Sequence, residues 1–192
     1  MKIYRSSDYR RMKWKNGGGE TAEIAVFPAH ATMDDFAWRI SMATVSSNGP
    51  FSIFADCDRT LSILSGEGMT LACADRAATY LTTDSAPYAF PADAATTATL
   101  ADDRVTDLNV MTRRTVMSHS VTRMTVDGEI DIQAADGSVV LFCHDGRMAV
   151  TVDGTVASLA PQDCAVVDDM GRRPLVLSGK ASFFVIRFNE IS

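Results

Sequence analysis

FAWRISMATV at residues 36–45 and VTDLNVMTR at 105–113 are the stretches on which the fold turns. In the first, an extended chain puts Phe36, Trp38, Ile40 and Met42 on one side and Ala37, Arg39, Ser41 and Ala43 on the other. In the second, Leu108 and Val110 stand opposite Asp107, Asn109, Met111 and Arg113. A period of two sustained over this length is a strand signal. Similar runs occupy 21–27, 60–64, 69–73, 97–101, 138–143, 147–152, 163–167 and 182–188, broken at Gly, Asp, Asn and Pro every six to twelve residues. That spacing predicts an all-β protein, a sandwich or barrel. No long segment carries a helical stripe, and the Ala-rich stretch 72–78 is the one place where a helical turn fits.

A faint internal repeat accompanies the alternation. Setting Gly68 on Gly146 aligns GMTLACA with GRMAVTV and lays VTDLNVM over FFVIRFN. A duplicated β-barrel explains such a pattern economically.

The chain has 192 residues, 46% apolar and 22% charged, which excludes disorder and fibrous classes. A net charge of −6 argues against a nucleic acid or anionic membrane partner. Residues 1–15 nevertheless hold six basic groups against Asp8 alone, a local +5 that leaves −11 on the remainder. Such a segment makes either a solvated edge strand guarded by basic side chains or a basic rim that attracts a small anion. No run approaches the roughly 20 apolar residues of a membrane helix, and no signal-peptide core opens the chain, so a cytoplasmic location is expected. Cys57, Cys73, Cys143 and Cys164 form no CxxC pair and are read as buried free thiols.

The most unusual string is WKNGGGET at 14–21. Its glycines permit either a hairpin loop of Asn-Gly type or a concavity of backbone amides for an anion. Without a following GK[ST] it is not a nucleotide-phosphate loop. On the two opening strands, polar residues among small ones are either a water-facing side or the lining of a ligand cavity. Asp58 and Arg59 add a further polar pair, for which a loop-anchoring salt bridge is the plainer reading. GxSxG, HExxH, SxxK and GxGxxG motifs are missing.

WKNGGGETAEI at 14–24, WRIS at 38–41, GPFSIF at 49–54 with Asp58-Arg59, LSGEG at 64–68 and DLNVMTRR at 107–114 together resemble the HutD/Ves family of bacterial proteins. The resemblance runs through nearly the whole chain and thins after about residue 115. It implies a cupin-superfamily fold of the double-stranded β-helix, RmlC-like jelly-roll type. Two barrels, a bicupin, are expected in one compact unit: the first over 20–113, the second over 114–192 with contributions from 1–19. The family has no established enzymatic activity, and its name reflects histidine utilisation or stress response. Ala55-Asp56, Ala92 and Asp103-Arg104 depart from the family pattern in loops, whereas the polar strand residues are kept. Metal-binding cupins gather closely spaced histidines, but His30, His119 and His144 lie far apart, so no metal or other cofactor is expected.

Carried over by position, the candidate ligand-binding residues are Lys15, Asn16, Thr21, Glu23, Arg39, Ser41, Asp58, Arg59, Asp107, Asn109 and Arg113. Arg39, Arg59 and Arg113 are suited to gripping a carboxylate through two parallel hydrogen bonds. Asn16 and Asn109 suit a neutral amide or formyl group. The expected function is a metal-free sensor or regulator that binds a small carboxylate metabolite, and the resemblance makes a formylated glutamate the first ligand to try. The alternative is a metal-independent isomerase or hydrolase with Glu23 or Asp107 as general base. A homodimer is left open by the sequence.

Overall fold

The computed structural model describes residues 1–74, 76–133, 137–168 and 174–191. Along them run β1 (Lys2–Tyr4), β2 (Arg10–Lys13), β3 (Gly19–Phe27), β4 (Trp38–Val45), β5 (Gly49–Pro50), β6 (Cys57–Ser65), β7 (Met69–Cys73) and β8 (Thr79–Leu81). They are followed by β9 (Tyr88–Pro91), β10 (Thr96–Leu100), β11 (Val105–Arg113), β12 (Met117–Ile132), β13 (Ser138–Val152), β14 (Thr155–Leu159), β15 (Cys164–Val167) and β16 (Leu175–Glu190). Among the described residues the only helical piece is a three-residue 3-10 turn, Ser6–Asp8. Among the described residues no helix is long and apolar enough to cross a membrane. In the stretch 72–78, β7 ends at Cys73 and the described residues beyond it form no helix; Asp75 lies outside the described residues.

The strands fall into two compact units. The first is Arg10–Ser118 together with Ile191, and the second is Met1–Tyr9 with His119–Glu190. The first unit holds two sheets, ordered β2-β3-β4-β11-β6-β9 and β5-β10-β7-β8. Its core is filled by Leu61, Ile63 and Val105 from one sheet and Met69, Leu71, Leu81 and Ala98 from the other. The second unit has one sheet, β1-β15-β13-β16-β12, with β14 on β13. Each order has two ends, so no sheet closes into the barrel expected for its half of the chain. Residues 10–19 belong to the first unit, where β2 pairs with β3.

The repeat is visible in the pairing. In the first unit β6 pairs with β9 and β11, while β7 pairs with β8 and β10. In the second, the first half of β13 pairs with β15 and the second half of β16, and its remainder pairs with β14 and the start of β16. Gly68, just before β7, and Gly146, within β13, both adopt positive φ, +114° and +79°. A Cβ on either would strike a carbonyl oxygen, of Leu81 at 2.3 Å and of Lys180 at 2.2 Å, so glycine is required at both.

Bulges decide which residues face inward. His144 is an extra residue between Cys143 and Asp145, and the inward set accordingly changes from Val139, Leu141 and Cys143 to Met148, Val150 and Val152. The sequence reading leaves 117–132 without a strand, although Met124, Val126, Ile130 and Ile132 alternate there with Arg123, Thr125, Asp127, Glu129 and Asp131 and turn onto the core. β12 is held there by its neighbour β16 at the end of the sheet, with much of its length exposed. The basic N-terminal segment contributes β1 and β2, which both lie at sheet ends as expected of charged edge strands. All four cysteines are free and buried.

Candidate functional site

WKNGGGET turns the β2-β3 hairpin. The Trp14 amide donates to Gly19 O at 2.9 Å, the Gly17 amide to Trp14 O at 3.0 Å, and Asn16 Oδ1 accepts from the Gly18 amide at 3.0 Å. Trp14 Nε1 donates to Thr21 Oγ1 at 2.8 Å, fixing the indole against β3. The hairpin is also one wall of a cavity of about 470 Å³ within the first unit. Thus the loop is a turn, and Trp14, Lys15 and Asn16 still reach the site.

The cavity floor comes from strand faces. Register places Thr21 opposite Ala43, Asp107 opposite Ala43, Asn109 opposite Ser41, and Met111 between Arg39 and Arg59. Thr21, Arg39, Ser41, Arg59, Asp107 and Asn109 therefore share the face that carries Leu61 and Ile63 into the core. The other face of β4 and β11, with Trp38, Ile40, Met42, Leu108 and Val110, is buried as well, so neither face of these strands meets water. Extra residues at Ile24 in β3 and Leu64 in β6 sit beside Glu23 and across from Asp107. Such bulges re-aim side chains where pairing would otherwise be regular.

Arg59 donates to Asn109 Oδ1 through Nε at 2.7 Å and also through Nη2, while Asn109 Nδ2 donates to Asp107 Oδ1. The Arg59 guanidinium lies over the Phe51 ring at 4.5 Å, a cation–π contact within the wall. Arg39 donates through Nε to Glu23 Oε2 at 2.8 Å and through Nη1 to Ser41 Oγ at 3.2 Å. Asp107 is completely buried, and its Oδ2 has no hydrogen-bond partner among the described residues.

Burial controls the electrostatics here. Loss of water pushes Asp107 up to about 7, against the opposing pull of Arg59 and the Asn109 hydrogen bond. Loss of water pushes Arg59 down to about 10; Asp107 opposes this and the neighbouring charge of Arg39 adds to it. Two guanidinium groups that feel each other in a buried cavity make a site suited to an anion.

Of the residues expected at the site, Lys15, Asn16, Thr21, Arg39, Ser41, Arg59, Asp107 and Asn109 line the cavity. Glu23 does not line it but holds Arg39 from behind. Asp58 is exposed and lies outside the lining, paired with Arg114 at 3.1 Å. Arg114 also binds Asp93, which holds that carboxyl below its usual range. The loop-anchoring bridge expected of Asp58 and Arg59 is thus made by Asp58 with Arg114, while Arg59 turns to Asn109. Arg113 is likewise outside: its Nη2 donates to Asp34 O at 2.6 Å and its Nε to Phe36 O at 3.4 Å, at the strand end. The sequence reading missed the apolar walls Met33, Phe51, Phe54 and Met111, and the rim residues Met12, Pro50 and Ser52. Only GPFSIF, apolar residues in a loop rather than a strand, signalled any of them.

Chains of known relationship share this architecture. The sequence is 30% identical over 165 residues, 85% of each chain, to an uncharacterized 21.2 kDa protein in the hutC 3′ region of Pseudomonas putida. A conserved protein of unknown function from Pseudomonas aeruginosa superposes with a TM-score of 0.92 at 30% identity, covering 98% of both chains. HutD from Pseudomonas fluorescens, solved in a formate condition, superposes at 0.84 with 28% identity over 100% of this chain and 99% of that one. A cupin 2 conserved barrel domain protein from Leptotrichia buccalis, 9% identical, matches at 0.60 over 94% and 96%, which makes the fold cupin-like. The HutD family pattern itself matches residues 6–185, spanning the hairpin, both polar strands and the cavity they enclose. The chain belongs to the HutD family.

Proposed function

We propose that the cavity binds a small metabolite bearing a carboxylate, and that the protein is a cytoplasmic sensor or regulator linked to histidine utilisation. One observation carries the reading: Arg39 and Arg59, both buried, line one cavity of about 470 Å³. That size is within the roughly 300–1,000 Å³ usual for small-molecule sites. Lys13 and Lys15 stand exposed at its rim, where they favour entry of an anion. The names of the hutC-region protein and of HutD support the pathway link. An acidic intermediate of histidine breakdown, such as a formylated glutamate, is the first ligand to test.

Asp107 supports a second reading, a metal-independent isomerase or hydrolase. A buried carboxyl with its pKa near neutrality is suited to general acid–base work. Glu23 fits that role less well because Arg39 engages its carboxylate. A thermal-shift screen of histidine-pathway acids, followed by overnight incubation of the best ligand at near-equimolar concentration and mass spectrometry, separates the two. A raised melting temperature with the ligand recovered unchanged supports the sensor, since binding to the native state stabilises it. Product that forms with wild-type protein and vanishes in Asp107→Asn establishes the enzyme.

A further inference from the structure

The hydrogen bonds among Arg59, Asn109 and Asp107 have a fixed polarity. Arg59 has only donors, so it takes Oδ1 of Asn109; the Asn109 amide nitrogen must then face Asp107 and takes its Oδ1. Asp107 lines the cavity, and its Oδ2 is left buried with no donor among the described residues. The charges around it are two guanidinium groups, Arg39 and Arg59, and two carboxyls, Glu23 and Asp107. A ligand that brings only carboxylate satisfies the arginines, adds a negative charge beside Asp107 and leaves Oδ2 unmet. A ligand that also brings an N–H or O–H next to its carboxylate satisfies both.

Resting on the carboxylate-binding function proposed above, we infer that Asp107 is a specificity residue whose Oδ2 accepts a hydrogen bond from the ligand. The ligand class is therefore an amino, acylamino or hydroxy acid rather than a plain carboxylic acid. A site built to pair a ligand donor rejects the analogue lacking it, because its own buried acceptor is then left unpaired.

The test is calorimetry with four probes: N-formyl-L-glutamate, 2-hydroxyglutarate, glutarate, and N-formyl-N-methyl-L-glutamate, which keeps the carboxylates but loses the N–H. Wild-type protein is expected to bind one of the donor-bearing probes at least tenfold more tightly than glutarate. If that probe is the formyl compound, N-methylation should abolish the preference. In Asp107→Asn, Asn109 still needs an acceptor, so the new amide nitrogen replaces Oδ2 and the preference should fall to within about threefold. Equal binding of glutarate and the donor-bearing probes, as expected if a protonated Asp107 simply donates to a carboxylate, overturns the inference while the carboxylate-binding function stands. Retention of the full preference in Asp107→Asn overturns it too. Should the variant fail to fold, the wild-type comparison of N-formyl and N-methyl probes, or of 2-hydroxyglutarate and glutarate, decides alone. If no probe binds wild-type protein, the function proposed above falls and takes the inference with it.

Discussion

Arg59 directs both Nε, at 2.7 Å, and Nη2 onto a single oxygen, Oδ1 of Asn109. The asparagine thereby joins a buried cation to a buried carboxyl that do not bond each other directly. Asn109→Ala strands the Arg59 guanidinium and Asp107 Oδ1 together, and each buried group left without its partner costs about 1–3 kcal/mol. Urea unfolding of the variant should show a lower midpoint with an unchanged slope. An unaltered midpoint would mean that this chain of hydrogen bonds contributes nothing to stability.

Arg39 and Arg113 are alternatives that the structure separates. Arg39 lines the cavity, whereas Arg113 is spent on the carbonyls of Asp34 and Phe36. Arg39→Ala is expected to weaken binding of N-formyl-L-glutamate about ten- to a hundred-fold, the cost of a charge-assisted hydrogen bond. Arg113→Ala should leave affinity within about twofold and instead lower stability by about 0.5–1.5 kcal/mol. Calorimetry and chemical denaturation of both variants read the two effects separately.

Asp107 makes stability depend on pH with a sign opposite to that of most carboxyls. In the unfolded chain it releases its proton near its ordinary value of 3.8, but in the fold burial holds the proton up to about 7. Between those values the folded state binds more protons, so the stabilising contribution is complete below about pH 4 and is lost as pH rises through 7. Asp107→Asn removes the titration. From pH 4 to pH 8 its stability relative to wild type should therefore rise, on the order of a few kcal/mol at about 1.4 kcal/mol per pKa unit. Parallel denaturation curves across this range check it; a constant difference would place the Asp107 pKa near its ordinary value. Taking the difference cancels the ordinary carboxyls, such as Asp93 and Asp163, whose lowered pKa values act in the opposite sense.

Gly146→Ala tests the repeated positive-φ glycine. The new Cβ would lie 2.2 Å from Lys180 O and 2.9 Å from Ala181 Cα, both backbone atoms, at a φ of +79°. Neither strand can move without breaking its pairing, so a loss of more than about 1 kcal/mol is expected. The same change at Gly68, against Leu81 O, should behave alike. Melting temperatures matching wild type in both variants would show that the backbone around the two glycines relaxes freely.

The sequence by itself determined what is local. Alternation along 36–45 and 105–113 marks strands and groups Arg39 with Ser41, and Asp107 with Asn109, because successive side chains of an extended chain point to opposite sides. The sequence grouped Asp58 with its neighbour Arg59 as one polar pair, whereas the structure keeps the first outside the cavity and the second within its wall. Gly68 and Gly146 exposed the repeat because positions at positive φ against a neighbouring backbone leave little choice of residue. Tertiary structure alone decided the rest. Glu23 meets Arg39 only through strand pairing interrupted by a bulge at Ile24, and Arg113 is held outside the cavity by carbonyls of the loop between β3 and β4, at the end of its own strand. β12 alternates only over 123–132, and its full length as a strand comes from pairing with β16 at the end of the sheet. The polarity of Asp107 could not be read from its own stretch either, since it depends on an arginine fifty positions away taking the asparagine's oxygen and on how completely water is excluded. Register and burial are properties of segments brought together from a distance, and no single stretch of sequence contains them.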